Sequence, residues 1–390
     1  EYGSTTFKAV LFSLFLAGFA IFSSLYAIQP MMPILADYFQ VSPAQSSFPL
    51  SFSTIALAIG LLFTGFISDR FGRKPVMVWS LFSVSLLLLL SAVLPIWPVF
   101  LSTRVMIGLA VSGVAAVAMT YIGEEIAEKD IGFAMGLYIS GTAIGGMSGR
   151  LIAGVLVDFI SWQSATLLIG ALNLLIAFIF LGLLPNSRHF KAYPIQLHRF
   201  RTAFQHSWRD PKLSILFLQG FILMGCFVSI FNYLSYRLLE SPFHLSQAWI
   251  GLISITYLTG IYSSPKASSW SRKFGRLQVL LGMIIVMLFG LVLMLWNSVM
   301  AVFMGLLIFT FAFFAAHSTA SSWVSVLSLQ YRAVGSSLYL FCYYLGSSFL
   351  GSSSGWVWEQ FGWNGLSIFV GLFLLLGLGL TLRLKEYSTK

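Results

Sequence analysis

Twelve apolar stretches, separated by short polar turns, occupy almost the whole length of this chain. A helix needs about 20 mostly apolar residues to cross the hydrocarbon of a bilayer, and each stretch comes close to that number. They fall at 7–29, 47–67, 76–94, 97–121, 131–157, 161–184, 212–236, 246–264, 277–296, 299–324, 334–357 and 363–383. A transmembrane barrel would instead carry alternating segments of about ten residues, a pattern this sequence lacks. The chain therefore reads as an all-α membrane protein of twelve transmembrane helices. Composition agrees: 58% of residues are hydrophobic and 9% charged, against about 45–50% and about 25% in soluble domains. The first run, "AVLFSLFLAGFAIFSSLYAI", is too long for the apolar core of a cleavable signal and lacks a small-residue cleavage site, so it reads as the first spanning helix. Cys226 and Cys342 lie inside apolar runs and read as packing residues rather than a disulfide.

Nineteen of the 22 Lys and Arg side chains fall on one side of these spans: Lys8, the 70–74 turn, Lys129, the 188–212 loop, the 266–276 segment, Arg332 and the C-terminal tail. The opposite side holds Arg237, and Arg104 and Arg150 lie within spans. By the positive-inside rule both termini and the long middle loop face the cytoplasm. The net charge of +10 thus reads as a set of topological anchors rather than as affinity for nucleic acid.

The middle loop, "PNSRHFKAYPIQLHRFRTAFQHSWRDPK", has six spans on each side. It divides the chain into an N-terminal six-helix half (1–184), a cytoplasmic linker (185–211) and a C-terminal six-helix half (212–390). Its aromatic and basic character suits an interfacial helix on the inner leaflet. His189, His198 and His206 are widely spaced, with no acid or cysteine clustered beside them, so neither a metal nor a cofactor is expected there.

The halves repeat each other. "DRFGR" at 69–73 recurs as "RKFGR" at 272–276, an offset of 203, and "GLYISGTAIGGMSGRLIAG" at 136–154 aligns with "SLYLFCYYLGSSFLGSSSG" at 337–355, an offset of 201. Two six-helix halves repeated in parallel are an architecture of secondary transporters, with the substrate site near the midplane between them.

At this level the motifs resemble those of the major facilitator superfamily, over essentially the whole chain. "GFISDRFGRKPVM" resembles its loop 2–3 signature through Gly65, Asp69, Arg70, Gly72, Arg73 and Lys74. "RVMIGLAVSG" at 104–113 resembles the fourth-helix motif, and "GTAIGGMSG" at 141–149 the fifth-helix motif of drug:proton antiporters, with Thr142 where proline is usual. "GLYISG", "GGMSGR", "SSPKA" and "YYLGSS" are similar to the bacterial YnfM-like branch of inner-membrane transporters. The resemblance implies a bacterial inner-membrane transporter, acting as a monomer, that exports a small organic compound or drug in exchange for protons. It also implies that Asp69 meets the start of the eleventh helix near Gly335 when the cytoplasmic side is shut. A carboxylate is favoured there by about 0.3–1 kcal/mol, which would make the contact an inner latch. The second copy has Arg272 and Lys273 where Asp69 and Arg70 stand, so the latch is one-sided.

Arg104 and Arg150 lie about 10 Å below the outer surface at 1.5 Å per residue. An Arg at a helix centre costs about 2.5–3.5 kcal/mol, so each should face a partner, water or substrate. Neither has an acid at its own depth: Asp37 and Asp158 are near the outer surface, and Glu124 and Glu125 lie about 30 Å from Arg104 along the helix. The resemblance assigns Arg104 to proton coupling or substrate-linked hydrogen bonding. Arg150 reads either as a cavity cation for an anionic or polar substrate or as a structural Arg reaching helix-end carbonyls or an acid. The first span carries no carboxylate, and the titratable coupling candidates are Asp37, Asp69, Glu124, Glu125, Asp158 and His317. His317 titrates near physiological pH when unperturbed, and it reads equally as a neutral core residue.

Gly132, Gly136, Gly141, Gly145 and Gly149 form overlapping small-xxx-small patterns, matched by Gly346, which read as close packing of helices five and eleven on the opposite half. Candidate cavity residues are Tyr26 and Gln29 in the first span, Tyr138 in the fifth, Asn232, Tyr233 and Tyr236 in the seventh, Trp323 in the tenth, and Tyr339 and Tyr343 in the eleventh. Aromatic walls suit amphipathic organic molecules. The chain lacks GxxxxGK[ST] and HExxH, and has no nucleophile elbow in a strand-to-helix context, so an ATP-driven pump and an enzyme are unsupported. Transport of an anionic metabolite and uncoupled facilitation are the alternatives to proton-coupled efflux.

Overall fold

The computed structural model describes residues 5–187, 190, 197–328 and 332–388. Helices occupy nearly all of them: α1 (Thr5–Tyr26), α2 (Ile28–Phe39), α3 (Pro43–Ser46), α4 (Phe48–Phe71), α5 (Arg73–Val93), α6 (Trp97–Glu125), α7 (Glu128–Phe159), α8 (Trp162–Leu183), α9 (Leu197–Arg209), α10 (Pro211–Leu239), α11 (Gln247–Leu252), α12 (Tyr257–Phe274), α13 (Arg276–Leu293), α14 (Val299–Leu327) and α15 (Arg332–Ser388). Ten helical segments are long and apolar enough to cross a membrane among the described residues. The twelve expected spans are reached in two ways. α15 is two helices joined at a kink at Gly362, whose φ of 59° breaks the helical path. The remaining span is assembled from α11, a 3₁₀ turn at Ile253–Thr256 and α12.

That last span departs from the expected 246–264. The helix continues to Phe274 through "SSPKASSWSRKF", because its polar groups are absorbed by α14: Ser263 Oγ donates to the Phe311 carbonyl at 2.8 Å and Ser318 Oγ to the Ser264 carbonyl at 3.1 Å. A polar run can stay helical in lipid when a neighbouring helix takes its hydrogen bonds.

The chain forms two compact units: Glu1–Ile34 with Phe52–Ile195 and Gln247–Leu252, and Leu35–Ser51 with Gln196–Ser246 and Ile253–Lys390. In the first, α7 lies on α1, and α5 lies between α6 and α8. The expectation that the glycines of α7 face the opposite half is corrected here. A Cβ at Gly145 would lie 2.6 Å from Phe19 Cα, and one at Gly149 2.5 Å from the Ser23 carbonyl oxygen, so this stripe seats α7 on α1 of its own half. Only a missing side chain lets the two backbones come so near. Gly132 and Gly136 have nothing within 4 Å.

In the second unit α10 packs along α15, and α14 lies against α12 and α13. Gly346 repeats the device, with a Cβ falling 2.6 Å from the Phe221 carbonyl carbon of α10. Phe227 and Phe313 stack with centroids 3.9 Å apart inside this unit. Large apolar side chains are exposed along the helices, Trp79 at 73% and Leu372 at 62%, as suits an exterior that meets lipid tails instead of water.

Gly72 and Gly275 begin α5 and α13 with nearly the same backbone, φ 95° and ψ 158° against φ 87° and ψ 147°. These angles belong to a region open essentially to glycine alone. The offset of 203 in sequence is thereby matched by a repeated turn.

Candidate functional site

Three groups of polar side chains stand out, two in the first unit and one in the second. The first is built on the loop 2–3 motif. Arg73, only 5% exposed, directs Nη1 to Asp69 Oδ1 at 2.6 Å and to Ser68 Oγ at 2.5 Å. Its other edge engages Glu124 of α6 through Nε to Oε2 at 3.0 Å and Nη2 to Oε1 at 2.7 Å. Bidentate guanidinium–carboxylate pairs of this kind are both strong and directional. Asp69 sits one turn before Arg73, and Gly72 supplies the bend between them. Arg70 is exposed with its guanidinium 5.5 Å from the Phe71 ring centroid, Lys74 is half-buried, and Gly65 is exposed with open space around it. Gly335, in the second unit, faces Ser328 and Val324. Glu125 is half-buried at the end of the same helix as Glu124, and Asp37 is exposed at the far end of α2.

The second group surrounds the two arginines at membrane depth, each 2% exposed. α1 stops at Tyr26 and α2 begins at Ile28, near Pro30, whose ring excludes a helical bond to the residue 26 carbonyl. Arg104 reaches the last carbonyls before this break: Nη2 donates to Leu25 O at 3.1 Å and to Ser24 O at 3.4 Å. The Arg104 Nε is buried with no hydrogen-bond partner among the described residues. Asn173 Nδ2 donates to Ser24 Oγ at 2.5 Å and braces the same turn from α8.

Arg150 lies on the other side of the break. Its Nε donates to Gln29 Oε1 at 2.5 Å, its Nη1 to the Gly146 carbonyl at 2.7 Å, and its guanidinium carbon is 4.1 Å from the Tyr26 ring centroid. A desolvated cation–π contact contributes about 2 kcal/mol, comparable to the insertion cost of the charge. The fold therefore joins three of the candidate cavity residues, Tyr26, Gln29 and Arg150, into one buried constellation. Tyr138, 2% exposed, lies about three turns away on α7 and stands apart from it.

The third group lies in the second unit. His317 Nδ1 is 3.0 Å from Tyr339 Oη, and its ring lies 4.5 Å from that of Tyr343 and 6.1 Å from that of Phe313. Tyr339 is 1% exposed and rests on Gly220. Asn232, Tyr233 and Tyr236 stand apart from this cluster. Asn232 Nδ2 and Tyr233 Oη donate to the Gly351 carbonyl at 3.3 and 3.2 Å, and Tyr236 Oη pairs with Ser46 Oγ at 2.7 Å. Tyr233, Tyr236 and Trp358 form a stack. Trp323 is half-buried near the end of α14.

Sequence reasoning did not anticipate that Glu124 would answer Arg73 across 51 residues, nor the anchoring of Arg237. That guanidinium donates to the Met294 and Trp296 carbonyls and lies 4.6 Å from the Trp363 ring centroid, closing the end of α13. Among the described residues no group of His, Cys, Asp and Glu could hold a metal ion. His189 and the side chain of His198 lie outside the described residues.

A repeated twelve-span fold with buried cations and aromatics among its helices defines a multi-pass membrane protein. Residues 14–351 match the Major Facilitator Superfamily, and the chain belongs to that family. It is 49% identical over 384 residues to the Inner membrane transport protein YnfM of Escherichia coli (strain K12), covering 98% of this chain and 92% of that protein. Among solved structures, the nucleoside transporter NupG superposes with a TM-score of 0.80 at 15% identity, over 96% of this chain and 99% of that one. A bacterial homologue of the human lysosomal transporter Spinster, in an inward-facing and occupied conformation, superposes with a TM-score of 0.77 at 15% identity, over 98% of each chain. These two likenesses establish the fold.

Proposed function

We propose that this protein is an alternating-access secondary transporter of the bacterial inner membrane, acting as a monomer with both termini in the cytoplasm, that exports a small organic compound in exchange for protons. The observation that carries this function is the Arg150–Gln29–Tyr26 constellation, a buried polar and aromatic group built at a helix break inside the bundle. Broken helices at mid-membrane are where transporters of repeated architecture place their sites. Among the coupling candidates His317 is the titratable group held within a span rather than at its end, and Tyr339 offers it a hydrogen-bond partner. On this reading Asp69 and Gly335 form the cytoplasmic latch, with Arg73 and Glu124 holding Asp69 in place.

A second reading, exchange of an anionic metabolite, is favoured by Arg104, a buried cation with no carboxylate partner among the described residues. The two are separated in proteoliposomes carrying an internal pH dye, challenged with lipophilic cations, neutral compounds and organic anions. Proton movement with cations or neutral compounds supports efflux by antiport. Movement confined to anions and lost in Arg104→Ala supports the second reading, and substrate exchange with no proton movement in any class overturns proton coupling.

A further inference from the structure

The two compact units do not follow the order of the chain. Leu35–Ser51, from the first half of the sequence, packs within the second unit, and Gln247–Leu252, from the second half, packs within the first. Each transferred segment is held by a carboxylate at the end of the helix it meets. In the first unit the Asp158 carboxylate accepts from the backbone N–H of Gln247 through Oδ1 at 3.0 Å and from that of Ala248 through Oδ2 at 2.8 Å. In the second unit Glu359 Oε1 accepts from the backbone N–H of Ala44 at 2.7 Å.

The residues involved are equivalent in the internal repeat. Asp158 and Glu359 are separated by the offset of 201 that aligns 136–154 with 337–355, and Ala44 and Gln247 by the offset of 203 that aligns 69–73 with 272–276. Four residues before each acid stands a glycine. A Cβ at Gly154 would fall 2.7 Å from Gly251 Cα, and one at Gly355 2.6 Å from Ala44 Cα. Each glycine admits the incoming segment to backbone contact, and each acid then closes on its first N–H groups. Hydroxyls add to the second contact, where Ser352 Oγ lies 2.6 Å from Ser51 Oγ and Ser348 Oγ donates to the Ser51 carbonyl at 2.9 Å. Arg237 shares a cavity of about 640 Å³ with Glu359 but directs its guanidinium to the Met294 and Trp296 carbonyls, which leaves the carboxylate for Ala44.

We propose that "GVLVD" at 154–158 and "GWVWE" at 355–359 are a repeat-related pair of clasps, each holding within its own unit the segment contributed by the other half of the sequence, and that each opens when its carboxylate releases that segment. The proposal rests on the alternating-access reading. Asp158 and Glu359 are positioning residues in it: they set the ratio of closed to open forms and do not bind the substrate.

The test uses the full chain in lipid nanodiscs, with the buried Cys226 and Cys342 replaced by Ala. Spin labels go at Phe159 and Trp249 for the first clasp and at Tyr38 and Phe361 for the second, all exposed positions. A third pair, at Phe71 and Phe274, reports on the basic end. Loss of a side-chain acceptor at first-turn N–H groups costs about 0.5–2 kcal/mol, so Asp158→Ala and Glu359→Ala should each raise the ratio of long to short distances at their own pair by about 2- to 30-fold. Asp158→Glu, which installs the residue found at the equivalent position, should keep the parent ratio. If an alanine variant does not fold, Asp158→Leu and Glu359→Met, which keep the bulk of the side chain but carry no oxygen acceptor, give the same comparison. Clasp pairs left at the parent ratio in every variant would overturn the clasps, whether or not the basic-end pair alternates. Clasp pairs that lengthen while the basic-end pair holds one distance throughout would uphold the clasps and overturn alternating access.

Discussion

Arg73 and Glu124 meet as a bidentate ion pair, with Nε to Oε2 at 3.0 Å and Nη2 to Oε1 at 2.7 Å. The pair ties the turn after α4 to the end of α6, and Asp69 completes it from the helix end one turn earlier. The motif's acid is thus preset by its own base. The Arg73 side chain is 6% exposed and that of Glu124 28%, so removing the acid strands a nearly buried cation. Breaking a fully buried pair costs about 3–5 kcal/mol, and partial exposure reduces this to about 1–3 kcal/mol. Glu124→Ala should lower the unfolding midpoint in detergent more than Asp69→Ala, whose side chain is 35% exposed. Equal effects would remove Glu124 from this role.

The glycine stripe of α7 makes a positional prediction. Gly145→Val should abolish accumulation of folded protein, because the new side chain would enter the backbone of α1 at Phe19. Gly136→Val should be tolerated, since nothing lies within 4 Å of its Cβ position. Size-exclusion profiles of the two variants, expressed side by side, make the comparison.

Tyr26 acts on Arg150 through its ring. Tyr26→Phe keeps the cation–π geometry and should retain substrate-dependent flux. Tyr26→Leu removes a contribution of about 0.5–2 kcal/mol and should weaken substrate binding or destabilise the site by about 2- to 30-fold. Binding measured by the thermal shift of each variant against substrate concentration separates them.

His317 and Tyr339 should act together in proton coupling. His317→Gln keeps a hydrogen-bonding side chain at the site but loses the titratable ring, so substrate exchange should persist while substrate-linked proton movement disappears. Tyr339→Phe, which removes the hydrogen bond at 3.0 Å, should shift the pH dependence of transport without abolishing it. Wild-type proton movement in His317→Gln would place coupling elsewhere.

Much of this architecture is legible in the residues because lipid imposes simple rules. Span length, the clustering of bases and the 201–203 offsets all follow from the chain read in order, and so does the Gly72 turn, since few residues other than glycine accept its φ. Pairings across long separations are not legible that way. Nothing local to Arg73 points to Glu124, and nothing local to Arg104 announces that its partners are the Ser24 and Leu25 carbonyls beside the break in the first span. The span at α11–α12 is obscured for another reason: its serines and lysine read as a loop until α14 is there to take their hydrogen bonds. The stripe in α7 reads correctly as close packing but not as to its partner, because periodicity identifies a face and not what lies against it.

Coupled transport, as opposed to simple passage, is tested most directly by accumulation against a gradient. Inverted or reconstituted vesicles would be given an imposed pH gradient and a labelled substrate from whichever chemical class moves protons in the dye assay. Coupling requires the substrate to concentrate above equilibrium, to collapse to equilibrium when an ionophore dissipates the gradient, and to fail to concentrate in His317→Gln. Passage that stops at equal concentrations with the gradient intact would contradict it.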